Sequence, residues 1–282
     1  IQMATINTAS HFGMERELGS ITPGRRADFI VTSSLRELPI ESVFARGQCI
    51  AENGKLLTDC PHYPWPSTVR ETVKLGKKLK ANDFTISAPE GVSSVKAKVI
   101  GVIENQAPTK SLEFDLPVEE GNVQITEGVS YLSLVERHRG TGSVTNGFVS
   151  GFGYTGSMAI ASSVAHDSHH MIVVGTDRKL MAAAANRLGE VGGGVTLWKD
   201  DAERALVELP IAGLMSDSQA AEVANKAQAI ISAMIDCGCS LNNAYMQHTL
   251  LALVVIPELR ISDLGLVDVN HFELTEVISP ES

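Results

Sequence analysis

"SMAIASSVAHDSHHMIVVG", residues 157–175, decides how this chain folds. Two apolar stretches rich in Ala, Ile and Val flank a polar interruption, so the segment reads as a strand, a polar turn and a second strand. Just before it, "GFGYTG" (Gly151–Gly156) matches the G-x-G-x-x-G spacing of a dinucleotide-binding turn, and Asp177 lies at a distance suited to a ribose. Such a turn must run from a buried strand directly into a helix. Here it leads into another strand, so the glycines serve close backbone approach in a loop and nicotinamide binding is set aside.

Beyond this segment, Asp177–Val191 predicts an Ala-rich helix stopped by Gly192, Gly193 and Gly194, which read as a C-cap and a flexible loop. "VTLWK" and "ALVELPI" predict strands, and "PIAGLMSD" (Pro210–Asp217) a turn. Ser216 and Gln219 are spaced as a capping box for a helix running to about Cys237, and a further apolar helix is expected over about Asn243–Val254. Upstream, "VKAKVIGVI", "LEFDLPV" and "VSYLSLVE" alternate as strands between Phe84 and Val135. The fold class is therefore α+β.

The first sixty residues read mostly as sheet. Pro23-Gly24 predicts a turn before a strand over Asp28–Thr32, and "IESVFARGQCIAENGKLL" (Ile40–Leu57) predicts two strands around Asn53-Gly54. "IQMATINTASHFGM" (Ile1–Met14) reads as the end of a helix. "CPHYPWP" and the basic run after it, over 60–82, read as a solvated linker rather than a phosphate site.

The chain has 282 residues, is 44% apolar and carries a formal charge of −10. That is enough apolar material for a substantial core and two domains, and the negative surface argues against a nucleic acid or an anionic membrane as partner. A small neutral or cationic ligand fits better. The longest apolar run, about Leu250–Ile256, falls far short of the ~20 residues of a membrane helix, and no basic, cleavable leader opens the sequence, so a cytoplasmic location is expected. Cys49, Cys60, Cys237 and Cys239 form one C-x-C pair and no zinc-ribbon repeat, consistent with free thiols.

Chemistry concentrates in Val164–His170, where His166, Asp167, Ser168 and His169 precede the second histidine of a doublet, His170. Several imidazoles and a carboxylate within one turn suit either a divalent metal or proton movement near neutral pH, and equally suit a hydrogen-bonded structural turn. The other histidines, His11, His62, His138, His248 and His271, are scattered and form no second cluster.

"MATINTASHFGMERELGSITPGRRADFIV" (Met3–Val31) resembles the end of amidohydrolase-superfamily enzymes, in which the last barrel helix leads into a "GSI-x-PG-x-x-AD" strand. "SGFGYTGSMAIASSVAHDSHHMIVVGTD" (Ser150–Asp177), "NRLGEVGGG" (Asn186–Gly194), "LPIAGLMSD" (Leu209–Asp217) and "LALVVIPELRISDLGLVDV" (Leu251–Val269) together resemble the carboxy-terminal domain of bacterial adenine deaminases. The resemblance implies the end of a barrel helix over 1–18, an amidohydrolase-type β-sandwich segment over 19–66, a linker over 67–83 and the carboxy-terminal α+β domain over 84–282. It implies that the catalytic (β/α)₈ barrel is largely absent from this chain.

The family's reaction is hydrolysis of adenine to hypoxanthine and ammonia by attack of metal-activated hydroxide at purine C6. By resemblance the metal is Mn or Fe, with Zn an alternative, bound by barrel residues this chain lacks, so no metal ligand is assigned here. Adenine, the barrel part of the same protein and further copies of the chain in a homo-oligomer are the implied partners. His166, Asp167, Ser168 and His169 are implied to stand near the site; His170 falls where a small polar residue is expected and receives no role. Two alternatives stay open: another amidohydrolase-superfamily hydrolase, or a non-catalytic metal-binding or oligomerisation module.

Overall fold

The computed structural model describes residues 1–59 and 63–279, so Cys60 and His62 lie outside the described residues. The chain forms two compact units, Ile1–Pro64 and Trp65–Ser282. Helix α1 (Ile6–His11) and four strands, β1 (Phe29–Thr32), β2 (Ile40–Ala45), β3 (Gln48–Glu52) and β4 (Lys55–Leu56), make up the first unit. The strands form one antiparallel sheet in the order β1-β2-β3-β4.

Ile40–Leu57 thus holds three strands where two were expected. Asn53 and Gly54 join β3 to β4 with φ of 49° and 76°, and Arg46 and Gly47 join β2 to β3 with the same positive pair, 50° and 80°. Arginine rarely takes that conformation, so the second turn is not visible in composition. The Asp28 carboxylate supports it from outside the hairpin by accepting the Arg46 backbone N–H at 2.5 Å.

In the second unit, α2 (Ser67–Arg70) precedes β5 (Ser94–Val102), β6 (Thr109–Glu119), β7 (Asn122–Val123), β8 (Val129–Val135), β9 (Val144–Ser150), β10 (Met158–Ser162) and β11 (Met171–Gly175). Then follow α3 (Arg178–Val191), β12 (Gly194–Lys199), β13 (Ala202–Glu208), α4 (Ala220–Asp236), α5 (Ala244–Leu250), β14 (Leu259–Ser262), β15 (Gly265–Asp268) and β16 (Glu273–Thr275). Nine strands form one sheet in the order β13-β12-β10-β11-β8-β9-β5-β6-β7, antiparallel except where β5 meets β9. β14, β15 and β16 form a second, three-stranded sheet.

The decisive segment folds as read: β10 and β11 are antiparallel neighbours, Ser162 opposite Ile172. Their side chains alternate between two cores, as the period of two requires. Ile172 and Val174 join residues of α4 and α5 in one core, while Met171 and Val173 join residues of α3 in the other. Helices on both faces explain why these strands are apolar throughout rather than alternating with polar residues. The fold is α+β and rich in sheet, with no closed barrel among the described residues.

Three local expectations change. Residues 67–83 do not run free: Leu79 is buried, its N–H and C=O are held by the Asn186 side chain at 3.0 and 2.9 Å, and Lys74 N–H donates to the Arg137 carbonyl at 2.8 Å. Val73, Leu75 and Leu79 alternate with the basic residues and supply an apolar edge that the charge run masks. The capping box at α4 does not form, because Ser216 Oγ accepts from Ser218 N–H and the helix starts beyond its reach at Ala220. The last helix is short, ending at Leu250, after which the chain turns towards β14.

Candidate functional site

β10 ends at Ser162, and Ser163 fixes where the polar turn departs. Its Oγ accepts the Gly194 N–H at 2.7 Å and donates to the Gly213 carbonyl at 2.6 Å. The triple glycine lies in this contact. Gly192 caps α3 with φ +80°, as expected, but Gly193 and Gly194 are packed tightly: a Cβ on Gly193 would meet Gly213 Cα at 2.5 Å, and one on Gly194 would meet the Val207 carbonyl oxygen at 2.0 Å.

The turn is closed by its own residues. His169 N–H donates to the Ala165 carbonyl at 2.7 Å, and Ala165 N–H donates to His169 Nδ1 at 3.3 Å. A nitrogen that accepts carries no proton, so the neutral His169 ring has its hydrogen on Nε2. His166 N–H donates to the Thr249 carbonyl on α5 at 3.0 Å, and the His166 and His169 rings meet edge to face with centroids 5.4 Å apart. Asp167 and Ser168 are exposed at the tip. The structure thus brings His166 and His169 together and leaves Asp167 and Ser168 facing solvent.

Residues after β8 hold the turn from the other side. Arg137 Nε donates to the His169 carbonyl at 2.5 Å, and His138 Nε2 donates to the Ser168 carbonyl at 2.8 Å. Glu136 anchors this stretch, its carboxylate accepting the N–H groups of His138, Arg139 and Thr141 and the Thr141 hydroxyl. Burial alone would raise its pKa, but these four donors outweigh it and hold the carboxyl at about 2. Burial lowers the His169 pKa, helped by the neighbouring His166 and Arg137 charges and opposed by Asp167, so its neutral form is favoured.

A cavity of about 400 Å³ opens beside the turn, lined among others by Glu136, His138, Arg139, Thr141, His170 and Asp263. None of the four residues singled out from the sequence lines it; His170 does. The His170 ring is buried, 4.7 Å from that of His138 and 3.6 Å from Asp263 Oδ2. Burial lowers its pKa more than the Asp263 charge raises it. His138 and Asp263 could not be found by spacing, because strand pairing and the β14–β15 turn deliver them from far along the chain.

The turn does not fit a divalent cation. Among the described residues no three His, Cys, Asp or Glu side chains are grouped to hold one. His169 Nδ1 is already engaged by a backbone N–H, and tetrahedral or octahedral ligation needs several converging lone pairs.

The description "Adenine deaminase C-terminal domain" matches residues 106–273, and "Amidohydrolase family" matches residues 1–52. The chain belongs to the adenine deaminase C-terminal domain family. An adenine deaminase of Roseobacter denitrificans is 71% identical over 99% of this chain and 46% of its own length. One from Ruegeria pomeroyi is 70% identical over 99% of the chain and 47% of the relative, and one from Moorella thermoacetica 42% identical over the same shares. The chain spans about half the length of these relatives. Within the family domain, residues 106–273 contain the polar turn, the Glu136–Arg139 stretch, the triple glycine and the Pro210–Asp217 turn, so the matched region includes every contact that shapes the turn.

Proposed function

We propose that this chain is the carboxy-terminal part of an adenine deaminase that hydrolyses adenine to hypoxanthine and ammonia, and that it works only with the barrel part of the same protein. The amidohydrolase match over residues 1–52 and the naming of relatives of twice the length support this reading. The first unit supports it too. Ala9 is its one buried residue among those described, and Ile30, Ile40 and Leu56 of the sheet stay exposed, an apolar surface that further chain would cover.

His166, Asp167, Ser168 and His169 border the purine site in this reading. The observation that carries it is the turn closed by His169 and Ala165, which presents a neutral imidazole with its proton on Nε2. Such a ring donates to a ring nitrogen of the purine without adding charge, while Asp167 at the tip accepts from an exocyclic amine. The divalent cation implied by the amidohydrolase resemblance supplies activated water when bound, and its ligands belong to the barrel part. We place the protein in the cytoplasm; no described helix is long and apolar enough to cross a membrane.

Ammonia release from adenine tests the proposal. The complete protein releases it, residues 1–282 alone do not, and adding the barrel part restores it. Release by the 282-residue piece alone overturns the dependence on a barrel. Turnover of guanine or a cyclic amide by the complete protein, with adenine untouched, favours another amidohydrolase.

A further inference from the structure

Two arginines of the second unit are buried on backbone carbonyls alone. Arg260 spends its whole fork, donating to the carbonyls of Ile256, Leu250 and Ala107. Leu250 ends α5, so this cation sits at the negative end of a helix, where a structural role accounts for it.

Arg137 is equally buried, at 1% exposure, but its fork is incompletely used. Nε donates to His169 O at 2.5 Å, Nη2 donates to Ala212 O at 3.2 Å, and Nη1 has no hydrogen-bond partner among the described residues. The adjacent Glu136 carboxylate is occupied by backbone N–H groups and Thr141. A buried guanidinium without a carboxylate and with a spare donor is a poor way to stabilise a fold.

What Arg137 does is join two turns distant in sequence. β8 and β11 pair with Val135 opposite Met171, and extending that register by two residues sets Arg137 opposite His169. On its far side lies Gly213, φ +71°, where an added Cβ would come 2.7 Å from Nη1. Ala212 holds φ +59° and His169 φ +52°, so both carbonyls gripped by the fork belong to residues in the left-handed region.

We propose that Arg137 is a positioning residue for the deaminase site: by bridging the His169 and Ala212 carbonyls it holds the His166–His169 turn against the Pro210–Asp217 turn and fixes the direction of the His169 ring. The assignment of a catalytic consequence rests on the deaminase reading above; the bridge itself does not. A planar fork serves two carbonyls at once, whereas an ammonium is a single compact donor, so lysine keeps the charge and loses the bridge.

The test uses the complete protein with Arg137→Lys, and Arg260→Lys as the matched loss of a buried guanidinium. Turnover of adenine, melting temperature and the ring C2–H resonance of His169, assigned with His169→Asn, are measured for each. Arg137→Lys is expected to lower kcat about tenfold or more with KM changed less than about threefold, since small misplacements of a positioned group cost rate rather than uniform binding. It also moves the His169 resonance. Arg260→Lys lowers the melting temperature at least as much, leaves kcat within about threefold and leaves that resonance in place. Should Arg137→Lys fail to fold, Gly213→Ala, which presses on the fork while keeping it, is expected to move the same resonance. Wild-type kcat in Arg137→Lys, turnover losses in both variants that merely track melting temperature, or an unmoved His169 resonance overturns the proposal. If the wild-type protein releases no ammonia from adenine, the deaminase reading fails, and the His169 resonance alone decides the bridge.

Discussion

His169 and Ala165 hold each other from both sides: the histidine N–H donates to the alanine carbonyl at 2.7 Å, and the alanine N–H donates to histidine Nδ1 at 3.3 Å. The first bond closes the turn. The second assigns the ring proton to Nε2, and it is the side chain, not the backbone, that makes this position chemically specific.

His169→Asn and His169→Gln separate these roles. The shorter amide places an acceptor where Nδ1 stood and tolerates φ > 0, so the turn and the melting temperature are retained while the donor at Nε2 is lost. The longer amide reaches the Nε2 position but leaves the buried Ala165 N–H unmet, at about 1–3 kcal/mol. In the complete protein we expect His169→Asn to lose adenine turnover without stability and His169→Gln to lose stability. Equal stability of the two variants in calorimetry would remove the Ala165 bond from the account.

Glu136 sets a pH dependence. Its carboxyl lies at about 2 in the folded chain against an ordinary value of 4.5, a depressed value. The stabilisation is therefore fully present above pH 4.5 and is lost as pH falls towards 2. Glu136→Gln cannot accept from all four donors and is expected to cost about 1–3 kcal/mol at neutral pH. Denaturant midpoints measured from pH 6 downwards should show wild type and variant converging as Glu136 is protonated; a gap of constant size would contradict the assignment.

The strap over 67–83 is tested at Gly76, φ +74°, where a Cβ would lie 2.2 Å from the Gly140 carbonyl oxygen. A free linker accepts alanine there. We expect Gly76→Ala to destabilise the second unit by more than about 1 kcal/mol, and Leu79→Ala, at a site 2% exposed, by about 2–5 kcal/mol. Unchanged hydrogen exchange around Asn186 in both variants would return the segment to the status of a linker.

Asp177 caps α3, with Oδ1 accepting from Lys179 and Leu180 N–H at 2.8 and 3.3 Å and Oδ2 accepting from the Ser157 hydroxyl at 2.9 Å. Asp177→Ala is expected to cost about 0.5–2 kcal/mol. Asp177→Asn keeps the Oδ1 acceptor for the helix N–H groups and turns the Ser157 contact round, its amide NH2 donating to the hydroxyl, so it should cost less; the reverse order, read from denaturant midpoints, would show that charge rather than capping matters at this helix end.

Short-range physics made much of this legible. The helix read over Asp177–Val191 matches α3 to one residue, Asp177 being its cap, and Gly192 ends it as read, because a left-handed stop acts within one turn of the residue that encodes it. The strand–turn–strand reading of residues 157–175 held for the same reason: two short apolar runs and the polar turn that breaks them are all marked within the segment itself. Arg46-Gly47 and the box at Ser216 went unread or misread, since a supporting Asp28 in one case and the real helix start in the other lie beyond the local pattern.

By itself, the sequence determined the α+β class, the family and the cluster of polar residues between β10 and β11. Only the tertiary structure decided what surrounds that cluster. Arg137, His138, His170 and Asp263 reach the turn through the pairing of β8 with β11 and the placement of the β14–β15 hairpin, contacts set by burial of both sheet faces rather than by spacing along the chain. Strand register is a long-range property: it brings Arg137 opposite His169 across 32 residues of chain, and no local periodicity carries that distance.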